Sequence, residues 1–284
     1  MLYSAHPPSS RLSDFVDSFW FLRDAPGHER ERIVPSGTLE LVFNLHEDEF
    51  RIHDPVASKE RRFRGAIASG CYAHAFEIET RAHADVLGVH FKPGGAARLL
   101  GVPAGELSNT HVGLDDLWGR RASELRERLC ADASAARRIE LLESYLTERL
   151  PERAHPRPAA RAGLAELDQP GVEVGTVVQR LGVSRRRFIE VFSEDVGMTP
   201  KRYSMVRRLQ RALASLGQGP PATWTQIALD CGYCDQAHLC RDWTELTGLS
   251  PGEFFASRSV PVKENHVALP EGVKSVQYSA EPPP

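Results

Sequence analysis

Residues 177–200 and 227–251 carry the same pattern of small, apolar and turn-forming residues about fifty positions apart. Val177-Val178-Gln179-Arg180-Leu181-Gly182 aligns with Ile227-Ala228-Leu229-Asp230-Cys231-Gly232, and Phe188-x3-Phe192-x4-Gly197-Met198-Thr199-Pro200 aligns with Leu239-x3-Trp243-x4-Gly248-Leu249-Ser250-Pro251. Self-similarity at a fixed period marks a repeated supersecondary unit. Two copies are too few for a solenoid and suit a pair of compact helical grippers. Each copy reads as a helix, a tight turn and a second helix, the helix-turn-helix pattern.

Local chemistry supports that reading. Thr223 with Gln226 three residues on forms a capping-box pattern at the start of one helix. Small Ala228 lets a second helix cross closely, and Gly232 supplies a turn conformation that a Cβ disfavours. The next helix begins near Asp235, buries Leu239 and Trp243 four apart, and stops at Gly248; Ser250-Pro251 with Glu253 then starts another. Gly182, Ser184, Phe188, Phe192, Gly197 and Thr199-Pro200 play the same parts in the first copy. Between the copies, Tyr203, Val206, Leu209, Leu213 and Leu216 recur at helical spacing, predicting one long helix over 200–216 that Gly217 and Gly219-Pro220-Pro221 terminate.

With Phe188 and Phe192 inward, Arg185, Arg186, Ile189 and Glu190 must face outward; in the second copy the outward set is Gln236, Ala237, His238 and Arg241. A helix fits the major groove with its N-terminal half nearest the base edges. Arg186 suits guanine O6 and N7, Glu190 a cytosine amino group, Gln236 adenine and Ala237 a thymine methyl. Arg207, Arg208 and Arg211 on the connecting helix are expected at phosphates or in solvent. A rigid connector would set the two recognition helices in successive major grooves, about 34 Å apart on one face of the duplex.

A net charge of -3 hides an uneven distribution. Residues 176–216 hold nine basic and three acidic residues, whereas 217–258 hold two and five, so the first copy supplies most of the phosphate attraction. At 284 residues the chain is long enough for about two domains. It has neither an apolar run of membrane-spanning length nor a signal-peptide pattern, and its five cysteines form no even framework, which together predict a cytoplasmic protein with unpaired thiols.

The expected organisation is α+β: a β-rich, barrel-like sensory or dimerisation domain with C-terminal helices over 1–150, a linker over 151–160, an all-α domain of two helix-turn-helix units joined by a long helix over 161–258, and a flexible tail over 259–284. Leu39, Leu41, Phe43 and Leu45 alternate on one strand, which places Glu40 toward solvent or the outer surface, with a ligand-binding role as the alternative. Val86–Phe91 is a second strand, followed by a Lys92-Pro93-Gly94-Gly95 turn and a short helix over 96–100. Leu125 and Leu129, then Ile139, Leu142, Tyr145, Leu146 and Leu150, predict two helices whose apolar face covers the sensory domain or contacts a second copy. Pro151, Pro156 and Pro158 mark the linker.

Cys231-x2-Cys234-x3-His238-x-Cys240 has the residue types of a zinc site, but the helical alignment puts Cys231 inside, Cys234 in the turn and Cys240 beside Leu239, which favours small buried or capping roles. The eight histidines from His6 to His111 form no tight ligand motif. No metal or cofactor is expected.

The signature Ile227-Ala228-x3-Gly232-Tyr233-x-Asp235-Gln236-x-His238-Leu239-x-Arg241-x-Trp243-x4-Gly248-x-Ser250-Pro251-x2-Phe254 resembles the DNA-binding domain of AraC/XylS-type transcription regulators over roughly 160–257. That resemblance implies a sequence-specific regulator whose first gripper gives the main base readout. Val34-Pro35-Ser36-Gly37-x2-Glu40-Leu41-x-Phe43-Asn44-Leu45, Gly88-Val89-x-Phe91-x-Pro93-Gly94-Gly95 and Leu117-Trp118-Gly119 more loosely resemble a sensor-like domain that precedes this module in one subgroup; the resemblance implies a small β-barrel and effector binding without naming the ligand. The partners it implies are double-stranded DNA, a small-molecule effector, RNA polymerase and a second copy of the chain, and no membrane. The rival readings are a DNA-targeted enzyme or metal-binding cupin-like protein, against which no nucleophile-base pair or metal quartet stands out, and a protein-binding scaffold acting through the helices at 114–150.

Overall fold

The computed structural model describes residues 2–24, 28–54, 59–81, 83–151, 155–217, 223–257 and 266–268. Its strands in chain order are β1 (Leu2–His6), β2 (Val16–Arg23), β3 (Arg30–Ile33), β4 (Glu40–Asn44), β5 (Phe50–Asp54), β6 (Lys59–Phe63), β7 (Ala66–Ser69), β8 (Phe76–Glu79), β9 (Asp85–Phe91), β10 (His111–Gly113) and β11 (His266–Ala268). They form two antiparallel sheets, ordered β1-β2-β9-β4-β7-β10 and β11-β3-β8-β5-β6. The helices are α1 (Ala97–Leu100), α2 (Leu114–Trp118), α3 (Arg120–Ala131), α4 (Ala135–Arg149), α5 (Pro158–Leu167), α6 (Val174–Leu181), α7 (Arg185–Val196), α8 (Pro200–Gly217), α9 (Trp224–Asp230), α10 (Gln236–Thr247) and α11 (Pro251–Ser257). A 3-10 turn spans Ala104–Leu107.

The first sheet is buried on both faces, and this decides where its side chains go. Phe19 and Phe21 of β2, Leu41 and Phe43 of β4, and Leu87 and Val89 of β9 pack in one core with Leu125 and Leu129 of α3 and Leu142 and Leu146 of α4. Each such side chain contributes roughly 1.5–3 kcal/mol by leaving water. The alternate residues, Trp20, Leu22, Val42 and Val86, point the other way, toward the second sheet. Leu125 and Leu129 therefore cover the sheet rather than a second copy. Arg138 of α4 is buried and fastens that helix to β9, with both Asp85 oxygens at 2.9 Å and the Leu129 carbonyl, at the end of α3, also at 2.9 Å.

The expected strands, the short helix after Gly95 and the long connecting helix all form; the Gly219-Pro220-Pro221 terminator lies outside the described residues. The helical region differs at both edges from the sequence reading. Pro158 occupies the first turn of α5, where its missing N–H costs nothing, so helix begins inside the expected linker. Arg157 before it binds Asp195 of α7 through both carboxylate oxygens. In the expected tail, His266–Ala268 pairs with β3 as β11, and Val267 is buried. Three residues, His266-Val267-Ala268, are too short a stretch for a strand periodicity to be read from sequence.

The two regions do not keep separate cores. Ala104, Leu107 and Cys71 lie in one apolar cluster with Phe188, Val196, Met198, Tyr203 and Val206. The seam is close enough to require glycine: Gly197 follows α7 at φ +91, and a Cβ there would lie 3.1 Å from both the Ala104 carbonyl oxygen and the Cys71 Sγ.

Candidate nucleic-acid interface and inter-sheet cavity

α7, α9, α10 and α11 each start on a capping side chain, whereas α6 begins after Glu173 without one. The Ser184 Oγ accepts from the Arg187 N–H at 3.2 Å at the start of α7, and Asp235 Oδ1 accepts from the His238 N–H at 2.7 Å at the start of α10. Ser250 and Glu253 form a reciprocal capping box. Thr223 caps α9 through the Gln226 N–H, but the Gln226 side chain turns along the helix to Asp230 at 2.8 Å, so only half of that expected box forms. Phe188 and Phe192 stack at 5.6 Å in one unit, and Trp243 meets Phe254 edge-on at 5.1 Å in the other.

These inward anchors leave Arg185, Arg186 and Glu190 exposed on α7 with Ile189 half-buried beside them, and Gln236, Ala237 and Arg241 exposed on α10. Arg186 Nε donates to Glu190 Oε1 at 2.9 Å. This i,i+4 pair runs cation-first, the weaker orientation on a helix, and an exposed pair contributes under about 1 kcal/mol, so an outside ligand displaces it readily. Three arginines at the N-terminus of α7 also oppose the helix dipole, a local cost of a few tenths to about 1 kcal/mol each that is offset when an anion binds there. His238 is less free than its neighbours: its ring packs edge-on against Tyr233 at 5.1 Å, and Nε2 lies 3.7 Å from Asp242.

A groove of about 2410 Å³ lies between the two units, with Arg185 and Ile189 on one wall, His238 and Asp242 on the other, and Lys201, Arg202 and Arg208 of α8 along it. Not all of these cations are available. Arg208 binds Asp242 of α10 at 2.8 Å and lies over the Tyr233 ring at 5.1 Å. Arg207 binds Asp168 at 2.6 Å, and Arg211 reaches the carbonyls of Cys231 and Asp168. The expectation that Arg207 and Arg208 sit at phosphates or in solvent is corrected by these partners: α8 is sandwiched between the units, and its arginines tie α5, α9 and α10 to it. Lys201 is exposed.

The other concavity lies between the sheets. It spans about 710 Å³ with its open mouth included and is lined by apolar residues including Ile33, Val42, Ile52, Ile67 and Phe76, and by Glu31, Glu40, His83, His111 and His266. Glu40 thus faces this cavity and not the outer surface. Alternation placed it opposite Leu41 correctly, but the opposite face here is a second interior. Its carboxylate accepts from His90 Nδ1 at 2.5 Å, and His90 Nε2 pairs with the Thr38 hydroxyl at 2.7 Å. Gly88 lets the Trp20 indole, which lines the cavity, lie flat against β9, because a Cβ there would meet it at 2.1 Å. Burial pushes the Glu31 carboxyl up, but hydrogen bonds and charge from His266 and His28 outweigh it and hold its pKa down to about 2. His83 is lowered to about 4 and His111 to about 3, chiefly by burial.

Cys71, which sequence reasoning left without a role, is buried, with its thiol pushed well up by that burial, and Sγ–H donates to the Val196 carbonyl at 3.0 Å. Arg32, paired with Glu77 at 2.7 Å in the interior, points NH1 at the Thr247 carbonyl at 3.4 Å. Val196 and Thr247 are the last residues of α7 and α10, each followed by the equivalent glycine of the repeat. The N-terminal region therefore meets both recognition helices at the same place, the open carbonyls of their C-terminal ends. Cys231 is buried, Cys234 exposed and Cys240 half-buried.

Comparison with known proteins places this geometry. Residues 177–257 match a family described as a helix-turn-helix domain, and residues 4–113 match a domain of unknown function (DUF6597). An uncharacterized HTH-type transcriptional regulator of Haemophilus influenzae is 32% identical over 99 residues, 34% of this chain and 33% of that protein. An HTH-type transcriptional regulator of Mycobacterium tuberculosis is 30% identical over 100 residues, 31% of this chain and 38% of that one. The chain thus spans little more than a third of the length of these curated relatives. Among solved structures, ToxT from Vibrio cholerae O395 aligns over 89% of this chain and 97% of its own at 9% identity and a TM-score of 0.44. No helix of the described residues is long and apolar enough to cross a membrane. Residues 177–257 are a helix-turn-helix domain, joined in one chain to an N-terminal domain of unknown function at residues 4–113.

Proposed function

We propose that this chain is a sequence-specific DNA-binding transcription regulator of the AraC type, without catalysis of its own, whose N-terminal domain senses a small effector. The observation that carries the reading is the pair of outward helix faces, Arg185, Arg186 and Glu190 on α7 and Gln236, Ala237 and Arg241 on α10, both packed against one connecting helix. Each helix enters a major groove by its N-terminal half, and Arg186 and Gln236 make the base contacts their side chains suit. Lys201 and the arginine-rich start of α7 supply phosphate attraction.

Effector control fits the seam. Glu31 and Ile33 of β3 line the cavity, and Arg32 between them contacts the end of α10. A change in the set of β3 on ligand binding is thereby felt directly at the second recognition helix. As a regulator the chain acts with RNA polymerase, and occupancy by two copies would double the protected length. The test is selection of binding sites from random duplexes by the purified chain. Enrichment of a two-block motif is expected; recovery of unrelated sequences, at any salt concentration that permits binding, counts against the reading.

A further inference from the structure

The walls of the inter-sheet cavity discriminate by charge. Glu31 on β3 and Glu40 on β4 face it from the two sheets, and among the described residues no lysine or arginine lines it. Glu31 accepts from His28 Nε2 at 2.7 Å and His266 Nδ1 at 2.6 Å, and Glu40 from His90 at 2.5 Å. His83 gives an independent sign of a missing ligand. It is buried, lies on the cavity wall beside Phe50, and its Nε2 has no hydrogen-bond partner among the described residues. Buried polar atoms are nearly always matched. The Tyr3 and Trp20 rings, 6.4 Å apart, add electron-rich faces of the kind that attract cations.

We propose that this cavity binds an organic cation, an apolar body of one or two rings carrying a protonated amine, with the ammonium held by Glu40 and Glu31 and the body packed on Ile52, Ile67 and Phe76. The assignment rests on the effector reading above and narrows it to one ligand class. An ammonium brings donors to a site rich in carboxylate acceptors and removes the repulsion between them. A carboxylate of the same shape would be buried beside two like charges with no guanidinium or ammonium to receive it.

Calorimetric titration of the full chain with three matched probes tests this: 2-(1-naphthyl)ethylamine, 2-(1-naphthyl)ethanol and 3-(1-naphthyl)propanoate. The amine is expected to bind at least tenfold tighter than the alcohol, with the propanoate weakest, and Glu40→Gln is expected to remove the amine's advantage while leaving the alcohol unchanged. Ile67→Trp, which fills the cavity, is expected to abolish binding of the amine and serves where Glu40→Gln does not fold. Tighter binding of the propanoate, equal binding of all three, no binding of any, or amine affinity unchanged by Glu40→Gln or Ile67→Trp would each overturn the assignment. DNA selection on the same preparation separates the two readings: specific DNA binding without amine binding removes the ligand class alone, whereas amine binding without specific DNA binding removes the regulator.

Discussion

At the residue scale, the outward positions of the recognition helices follow from their inward ones. Once Phe188 and Phe192 are fixed as core, helical geometry leaves Arg185, Arg186 and Glu190 outside, and they are exposed in the structure. Glu40 shows where the same logic fails. Strand alternation separates two faces but does not say which is wet, and in a sheet covered on both sides the face opposite Leu41 is another interior. Asp242, four residues on along α10, is legible as a neighbour of His238, but the packing of the His238 ring on Tyr233 is not, because it depends on how the turn after α9 meets α10. Arg186→Ala is expected to weaken specific DNA binding by tenfold or more, about 1–3 kcal/mol for a lost bidentate base contact, while nonspecific binding changes far less. Competition titrations against selected and random duplexes measure both, and equal losses on the two would remove Arg186 from base readout.

At the scale of elements, α8 is the organising piece. Its apolar spacing was legible over 200–216, and the helix forms over Pro200–Gly217. Its charged residues were not legible as structure, since a helical wheel places arginines on a face without showing that Asp168, Asp242 and the Cys231 carbonyl come to meet them. The partners arrive from elements distant in the chain. Arg208→Ala is accordingly expected to lower stability by about 1–3 kcal/mol, because buried Asp242 loses its guanidinium partner and keeps only the more distant His238, with little effect on the salt dependence of DNA binding. Lys201→Ala is expected to do the reverse, reducing the salt slope by about one. Urea denaturation and binding isotherms at several salt concentrations separate the pair. A stability loss confined to Lys201→Ala would invert this assignment.

At the scale of the whole molecule, the sequence shows two regions but not their union. Cys71, Gly105, Gly197 and Arg32 give no signal of a shared seam, since each is an ordinary residue until the fold brings it to its partner. The buried histidines make the N-terminal fold sensitive to acid. His83 and His111 stay neutral in the folded chain down to about 4 and about 3, whereas exposed histidines protonate near 6.5. The unfolded chain therefore binds more protons across that window, and the stability these groups confer is complete above pH 6.5 and declines as pH falls toward 4. At about 1.4 kcal/mol per pH unit, His83 alone is worth on the order of 3 kcal/mol over its window. Glu31, held at about 2 against its ordinary 4.5, extends the loss below pH 4.5 with the same sign. The urea midpoint should fall steadily from pH 7 to 4.5; a flat profile would contradict the buried neutral state of these rings.

The central claim is that α7 and α10, set by α8, read one face of a duplex together. Hydroxyl-radical footprinting of the full chain on a selected site tests it most directly, comparing the parent with Arg186→Ala and Gln236→Ala. The expected result is two protected blocks about one helical turn apart on the same face, with Arg186→Ala erasing one and Gln236→Ala weakening the other. A single block, blocks on opposite faces, or both variants thinning the same block would contradict it.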